Sequence, residues 1–147
     1  MSGLSPPEGD PVLVERIAAD AVPYWVSLGI RVDRAVAPGH VYLRLPMREG
    51  LGTRRPEIMH GGAIASLIDA AAGGAIISQF GGDADYRGQA TLDLNVTFLN
   101  AATGDVVAEG LILRSSRTIA FTQVHVRNGD GALVATGRAT FTILRKG

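Results

Sequence analysis

The sequence predicts an α+β domain in which an antiparallel sheet curls around one long buried helix. Residues 59–80 form a nearly unbroken run of Gly, Ala, Ile and Leu, about five helical turns long. Strand-like segments lie on both sides of this run, and the later ones are joined by short turns that favour antiparallel pairing. A helix that is apolar on every side must be enclosed, and the strands are the elements available to enclose it.

Composition sets the class of the protein. The chain has 147 residues, enough for one domain with a core, and 46% of them are apolar. Fourteen basic residues balance fourteen acidic ones, which gives no indication of a nucleic-acid partner or of binding to a membrane surface. The absence of cysteine excludes disulfides, thiol nucleophiles and thiolate metal sites. We expect a cytoplasmic protein.

The N-terminal part is expected to form a tail and a short helix at residues 1–22, ahead of a single domain at 23–147. The first ten residues have neither a basic start nor an apolar core, so they do not resemble a signal peptide. Asp10 followed by Pro11 is a typical helix start. Apolar residues then recur at helical spacing to about residue 22, where Pro23 is expected to end the helix.

Strand patterns account for most of the remaining chain. The clearest is residues 91–98, where apolar and polar residues alternate strictly. Leu92 and Leu94 are therefore expected on one face, and Thr91 on the opposite, polar face. The sequence Asn-Gly-Asp-Gly at 128–131 indicates a hairpin, and the charged, Gly- and Pro-containing residues 46–58 indicate a loop. The predicted strands are 30–36, 40–45, 91–98, 106–113, 118–127 and 133–144.

The central helix opens with His60-Gly61-Gly62 and carries one formal charge, Asp69. Its length raises the possibility of a membrane span. That possibility is rejected because the run is rich in Gly and Ala, has an acid near its middle and lies among strands. A carboxylate inside such a helix costs free energy unless it is paired, protonated or used in chemistry.

Three motifs together resemble a known family. The first is His60-Gly61-Gly62, with Asp69 nine residues after the histidine. The second is Leu-Asp-Leu-Asn-Val-Thr-Phe at 92–98. The third is Ser-Arg-Thr-Ile-Ala-Phe at 116–121 together with Leu-Val-Ala-Thr-Gly-Arg at 133–138. They resemble the PaaI-like acyl-CoA thioesterases of the hotdog fold, over nearly the whole chain from Pro23. The resemblance implies a curved antiparallel sheet around a central helix, hydrolysis of acyl- or aryl-CoA, and no cofactor beyond the coenzyme A of the substrate.

Thioester hydrolysis needs a polarised carbonyl and either an activated water or a carboxylate nucleophile. The first turn of a helix offers free backbone N–H groups and the positive end of the dipole. Gly61 and Gly62 have no side chain to block an acyl group there. The resemblance implies that the Gly61 N–H polarises the carbonyl. The alternative is that both glycines only permit close packing against the sheet.

Asp69 is the candidate general base or nucleophile, with a structural acid as the alternative. Gly61 and Asp69 are eight residues apart, so on one helix they lie about 12 Å apart and cannot touch one thioester. A site can close only where Asp69 meets Gly61 of a second, antiparallel helix, which a two-fold dimer provides twice. We expect a homodimer with shared sites, and the resemblance implies that such dimers often pair into tetramers.

His60 and Thr91 complete the predicted catalytic group. His60 is either a capping residue or, as the resemblance implies, a residue near the thioester. The resemblance also implies that the Thr91 hydroxyl holds the attacking water, and the alternative is an ordinary strand threonine. His40 and His125 lie on separate predicted strands, so no metal-ligand spacing is present and no metal is expected.

Arginines are the candidates for binding coenzyme A, whose phosphates suit guanidinium groups. Arg114, Ser116 and Arg117 lie at a turn similar to the family's nucleotide-contacting loop. Many family members have an asparagine six residues before the histidine and a glycine three before it, where this chain has Arg54 and Glu57. Arg54 is a candidate for contact with a coenzyme A phosphate or with an acidic acyl group.

Two other functions compete with thioester hydrolysis. A hotdog hydratase or dehydratase fits less well, because such enzymes usually pair a catalytic histidine with an acid, whereas here His60 precedes Asp69 on the helix. A non-catalytic acyl-CoA binding module is the second alternative, and it is disfavoured because the sequence shows no added DNA-binding segment. The sequence does not indicate which acyl group is bound.

Overall fold

The computed structural model describes residues 9–147, so most of the predicted N-terminal tail lies outside the described residues. Three α-helices and six β-strands are present in this range, with a short 3-10 helix at Glu49–Leu51 inside the predicted loop. The helices are α1 (Pro11–Ala19), α2 (Pro23–Leu28) and α3 (Gly61–Phe80). The strands are β1 (Arg31–Ala37), β2 (His40–Leu45), β3 (Tyr86–Phe98), β4 (Val106–Ser115), β5 (Ile119–Asn128) and β6 (Leu133–Arg145).

All six strands form one sheet in the order β1-β2-β4-β5-β6-β3, and every neighbouring pair is antiparallel. The sheet curves around α3, which contacts five of the strands closely. The predicted α+β architecture and its antiparallel pairing are therefore confirmed. The hairpin predicted at residues 128–131 joins β5 to β6, with Gly131 at a φ of 87°.

The core lies between α3 and the concave face of the sheet. Helix α3 is long and apolar enough to span a membrane, but 78% of its most apolar window is buried inside the protein. Two strand glycines let it lie close to the sheet. A Cβ on Gly110 would lie 2.4 Å from the carbonyl oxygen of Ala71, and one on Gly137 would lie 2.6 Å from Cγ2 of Ile68.

The N-terminal helices differ from the prediction. Helix α1 begins as expected, with Oδ1 of Asp10 accepting a 2.9 Å hydrogen bond from the Val12 N–H, but it ends at Ala19 and not near residue 22. Pro23 begins α2 instead of merely ending α1. The physical reason is that proline suits the first position of a helix, where its missing N–H has no intrahelical partner to lose.

Strand β3 is an edge of the sheet and is interrupted by a bulge. Thr91 pairs with Phe141, whereas Asp93 pairs with the next residue of β6, Thr140, so Leu92 is an extra residue. Because Phe141 is buried against α3, its partner Thr91 lies on the helix side of the sheet. The strict alternation predicted from residue 91, and with it the position of Thr91 on the outer, polar face, is wrong. The bulge shifts the phase.

The outer face of the sheet carries the Glu109 cluster (His40, Tyr42 and Glu109). Oε2 of Glu109 accepts a hydrogen bond of 2.7 Å from the Tyr42 hydroxyl and lies 2.7 Å from Nε2 of His40. Burial by itself raises the pKa of Glu109, but the hydrogen bonds from Tyr42 and His40, together with electrostatic attraction to His40 and His125, outweigh it. The pKa of Glu109 is therefore lowered from its ordinary value.

Candidate active site

His60 caps the N-terminus of α3. Its backbone is extended, with φ −62° and ψ 139°, and its Nδ1 accepts a 2.8 Å hydrogen bond from the Gly62 N–H. A Cβ on Gly62 would lie 3.0 Å from that nitrogen, so the glycine keeps room for the cap. The imidazole is otherwise exposed beside the first turn of the helix.

The N–H of Gly61 is the available donor at this helix end. Gly62 donates to His60, and the next two N–H groups donate to the His60 carbonyl, whereas the Gly61 N–H has no hydrogen-bond partner within residues 9–147. The N-terminus of a helix favours negative charge, so this N–H is suited to a carbonyl oxygen that gains charge. The ring of Phe98 lies next to it, and a Cβ on Gly61 would lie 3.2 Å from the Phe98 Cζ.

Asp69 is half-buried in the middle of α3 and is paired with a strand residue. Its Oδ1 accepts a 2.8 Å hydrogen bond from the Thr91 hydroxyl. In the described part of the chain its other oxygen, Oδ2, has no hydrogen-bond partner. Thr91 thus holds one oxygen of the carboxylate, and the second oxygen remains available to a water or a substrate atom.

Two further residues, Ser66 and Tyr24, lie between these groups, and Ser66 was not predicted as part of the site. The Ser66 hydroxyl donates a 2.9 Å hydrogen bond to the Gly62 carbonyl, and the Tyr24 hydroxyl lies 2.8 Å from the Ser66 oxygen. The Ser66 proton is directed to Gly62, so Tyr24 is the donor to Ser66. Gly62, Ser66 and Asp69 are spaced by four and three residues, the spacing of one helix face, which is a signal that the sequence contained.

Gly61 and Asp69 do not meet within one chain. Eight residues of regular helix separate them, which corresponds to about 12 Å along α3. The two candidate groups therefore lie at the ends of one accessible face, with Tyr24 and Ser66 between them. Beside this face runs the unpaired edge of β3, where Leu92 and Phe98 are 60% and 53% exposed.

The structure separates the candidate coenzyme A residues into two groups. Arg54 is exposed and lies in a loop next to the start of α3. A hydrogen bond from the Thr53 N–H to the Ile58 carbonyl closes this loop. Arg114, Ser116 and Arg117 lie near the other end of α3, where the Gln79 side chain donates a 3.2 Å hydrogen bond to Ser115. A helix of 20 residues is about 30 Å long, so these groups do not come together within one chain.

The three residues of the second group, Arg114, Ser116 and Arg117, make different contacts. Arg117 forms an ion pair and a hydrogen bond with Asp85, and Arg145 forms a second ion pair with it. The hydrogen bond from Arg117, together with the contact from Arg145, lowers the pKa of Asp85 from its ordinary value. The Ser116 oxygen accepts hydrogen bonds from the backbone of Thr118 and Ile119, so it orders the turn. Arg114 is exposed.

Within residues 9–147, no group of three or more His, Asp or Glu side chains is arranged to hold a metal ion. The candidate site itself offers one carboxylate, one hydroxyl and one backbone donor.

Comparisons with known proteins agree on the family. The sequence model of the Thioesterase superfamily matches residues 57–135, which include the start of α3 and Asp69. A Halobacterium salinarum protein assigned provisionally as an esterase is 33% identical over 80% of this chain and 82% of that protein. Human acyl-coenzyme A thioesterase 13 is 30% identical over 72% of this chain and 74% of the human protein.

Solved structures agree on the fold. The PaaI protein of E. coli, from the phenylacetic acid degradation operon, superimposes with a TM-score of 0.75 over 90% of this chain and 96% of that chain, at 16% identity. The wrapped antiparallel sheet and its central helix confirm the predicted hotdog fold. The chain belongs to the thioesterase superfamily and is a thioester hydrolase.

Proposed function

We propose that the enzyme hydrolyses an acyl- or aryl-CoA thioester to the free acid and coenzyme A, at two sites shared between the protomers of a homodimer. In each site Asp69 of one protomer faces the Gly61 N–H of the other. The observation that carries this proposal is the pair of half-sites on α3, an N–H without a partner and a carboxylate with a free oxygen. Their separation of about 12 Å requires a second helix.

The reaction follows from these groups. The Gly61 N–H binds the thioester oxygen and stabilises the charge that develops on it. Asp69 either removes a proton from water, whose oxygen then attacks the carbonyl carbon, or attacks that carbon itself and is released by water. The carbon–sulfur bond breaks, and the coenzyme A thiolate takes up the proton that the reacting water loses. Thr91 keeps the carboxylate oriented for either route.

The surface beside the site supports the dimer. Strand β3 has no partner on one side, and its apolar residues Leu92, Leu94 and Phe98 are exposed. An exposed apolar sheet edge is normally covered in a stable protein. Pairing of two β3 edges about a two-fold axis covers both and places the α3 helices antiparallel. We extend the proposal to a pairing of two such dimers.

Coenzyme A binding is assigned to the arginines on both ends of α3. Arg54 and Arg114 are exposed guanidinium groups, and Ser116 and Arg117 lie beside Arg114. Arg117 would have to exchange Asp85 for a phosphate, so its contribution is expected to be smaller than that of Arg114. No cofactor is needed beyond the coenzyme A of the substrate, and we place the reaction in the cytoplasm.

Release of free thiol from a panel of acyl-CoAs tests the activity. Shared sites are tested by mixing Asp69→Asn with Gly61→Pro protomers after unfolding and refolding them together. Half of the dimers in an equal mixture are mixed, and each has one intact site, so roughly a quarter of the wild-type activity is expected to return. Each variant refolded alone is the control.

The outcomes separate the alternatives. Activity that does not return in mixed dimers contradicts shared sites, provided that native mass spectrometry shows that mixed dimers formed. A change in the acyl chain without thiol release would indicate a hydratase. Binding of acyl-CoA with neither change would indicate a non-catalytic module.

A further inference from the structure

We propose that the carboxylate of Asp85 occupies the place of a substrate phosphate at Arg117, and that this internal competitor sets the affinity of the enzyme for coenzyme A. The inference rests on the proposed function, because it concerns the coenzyme A site assigned there to Arg114, Ser116 and Arg117. It makes Asp85 a residue that determines specificity between coenzyme A thioesters and thioesters that carry no nucleotide.

Asp85 bridges two arginines with its two carboxylate oxygens. It lies in the loop at 81–85, between the end of α3 and the start of β3. Its Oδ2 accepts a hydrogen bond from Nη2 of Arg117, and its Oδ1 accepts one of 2.7 Å from Nη1 of Arg145. Guanidinium groups bind carboxylate and phosphate oxygens with the same planar set of donors. A phosphate can therefore replace the Asp85 carboxylate at an arginine that is free to move.

Arg145 is the fixed partner of this carboxylate. Its side chain is only 10% exposed, and its guanidinium lies over the ring of Phe80, 5.6 Å from the ring centroid. Its Nε donates a 2.7 Å hydrogen bond to the backbone carbonyl of Arg117, and its Nη1 lies 3.3 Å from Oδ2 of Asp83. These contacts keep Arg145 in place, and through it they keep Asp85 in place.

Arg117 is the exchangeable partner. Its side chain is 68% exposed, and within residues 9–147 its guanidinium has Asp85 as its one partner. Arg145 binds the backbone of Arg117 and not its side chain. The Arg117 side chain can therefore turn from Asp85 to a phosphate in solvent while the backbone of the turn and the Asp85–Arg145 pair stay where they are.

The strength of the Asp85–Arg117 pair determines how much affinity the competition removes. An exposed ion pair changes an equilibrium constant by at most about a factor of five. A phosphate that takes Arg117 from Asp85 loses this factor, whereas one that meets an unpaired Arg117 does not. The expected effect of Asp85 on coenzyme A binding is therefore a weakening of about fivefold.

Asp85→Asn tests the inference, with Asp83→Asn as the matched control. Both variants remove one negative charge from the same loop, but only Asp85 contacts Arg117. Asparagine keeps the size of the side chain and an oxygen for Arg145. Calorimetric titration with coenzyme A is expected to show binding about fivefold tighter in Asp85→Asn and roughly unchanged, within twofold, in Asp83→Asn. Equal tightening in the two variants would overturn the inference, because it would come from net charge alone.

A double variant isolates the competition for Arg117. In the wild type Arg117→Gln is expected to weaken coenzyme A binding by roughly twofold or less, because Asp85 already holds the guanidinium. In the Asp85→Asn background the same change should cost at least about fivefold, so that the double variant binds like Arg117→Gln alone. Additive effects of the two changes would contradict the competition. Urea unfolding checks that each variant is folded, and Asp85→Ser replaces Asp85→Asn in the cycle should the latter not fold.

Kinetics separate this inference from the proposed activity. In Asp85→Asn we expect KM to fall for an acyl-CoA and to stay unchanged for the pantetheine thioester of the same acyl group, which has no nucleotide. A fall for both substrates would contradict a role at the phosphate. Thiol release with the same coenzyme A affinity in wild type and Asp85→Asn would overturn the inference and leave the hydrolysis standing. The expected affinities without any thiol release would support the inference and contradict the proposed function.

Discussion

The hydroxyl of Thr91 donates a 2.8 Å hydrogen bond to Oδ1 of Asp69, and this contact joins strand β3 to the middle of the central helix. It satisfies a carboxylate that would otherwise lie unpaired in an apolar helix. It also fixes which oxygen of Asp69 remains free.

Thr91→Val removes the hydroxyl while keeping the shape of the side chain. We expect kcat to fall by roughly 10- to 100-fold, because a misoriented base or nucleophile loses much of its effectiveness. Thr91→Ser keeps the hydroxyl and should retain most of the activity. Steady-state kinetics on one acyl-CoA measure both variants, and unchanged kcat in Thr91→Val would show that the hydrogen bond is structural only.

Gly61→Pro removes one backbone N–H and little else. Gly61 is the first residue of α3, where proline is favoured, and the extended backbone of His60 suits a residue that precedes proline. We expect kcat to fall about 10²- to 10³-fold, the usual cost of losing an oxyanion donor. Gly61→Ala keeps the N–H and brings a similar Cβ towards Phe98, so it is the control. Equal activity of the two variants would exclude this N–H from the reaction.

His60→Ala removes the cap of α3. The free energy of unfolding is expected to fall by about 1 kcal/mol, the typical cost of losing an N-cap side chain. His60→Asn offers another side-chain acceptor to the Gly62 N–H and should restore most of that stability. Urea unfolding measures both. Activity that stays low in a stable His60→Asn variant would indicate that the imidazole has a role beside the cap.

Gly110→Ala tests the close approach of the sheet to the helix. The new Cβ would lie 2.4 Å from the backbone oxygen of Ala71, so either the strand or the helix must move. We expect a loss of about 1–3 kcal/mol in the free energy of unfolding, as for other overpacked cores. Gly104→Ala has no atom within 4 Å of its Cβ and serves as the control in the same thermal or urea experiment.

The Glu109 cluster predicts a pH dependence of stability. Because the pKa of Glu109 is lowered in the folded protein, its carboxylate stabilises the fold above the pKa of the unfolded chain, 4.5. This contribution is lost as the pH falls through the lower, folded-state value. The stability difference between wild type and Glu109→Gln should therefore be present at pH 7 and shrink below 4.5. Urea unfolding from pH 7 to 3 measures it, and Glu57→Gln, an exposed carboxylate outside the cluster, is the control.

The fold was predictable because its signals are strong and local. A helix without a polar face has to be enclosed by the other elements, which leaves few possible architectures. Turns such as Asn128–Gly131 fix the direction of neighbouring strands. The positions of Gly61 and Asp69 on α3 were predictable for the same reason, since helical spacing places residues along one axis.

Residues whose position depends on tertiary contacts were not predictable. The side of the sheet on which Thr91 lies depends on a bulge, and the bulge arises from the pairing of β3 with β6, which strand periodicity does not contain. Ser66 is an ordinary helix residue until Tyr24 of α2 reaches it. The break between α1 and α2 was missed because proline both ends one helix and begins the next.

The bulge at Leu92 has an evolutionary consequence. Leu92 is the one residue of this stretch that β6 does not match, so deletion of its codon would leave Thr91 opposite Phe141 and Asp93 opposite Thr140. Thr91 would keep its place on the helix side and still reach Asp69. If Leu92 stayed and the bulge were lost, the regular alternation of the strand would turn Thr91 to solvent. Homologues of this chain are therefore expected to tolerate substitution or deletion of Leu92, but not an insertion that moves Thr91 out of register with Phe141.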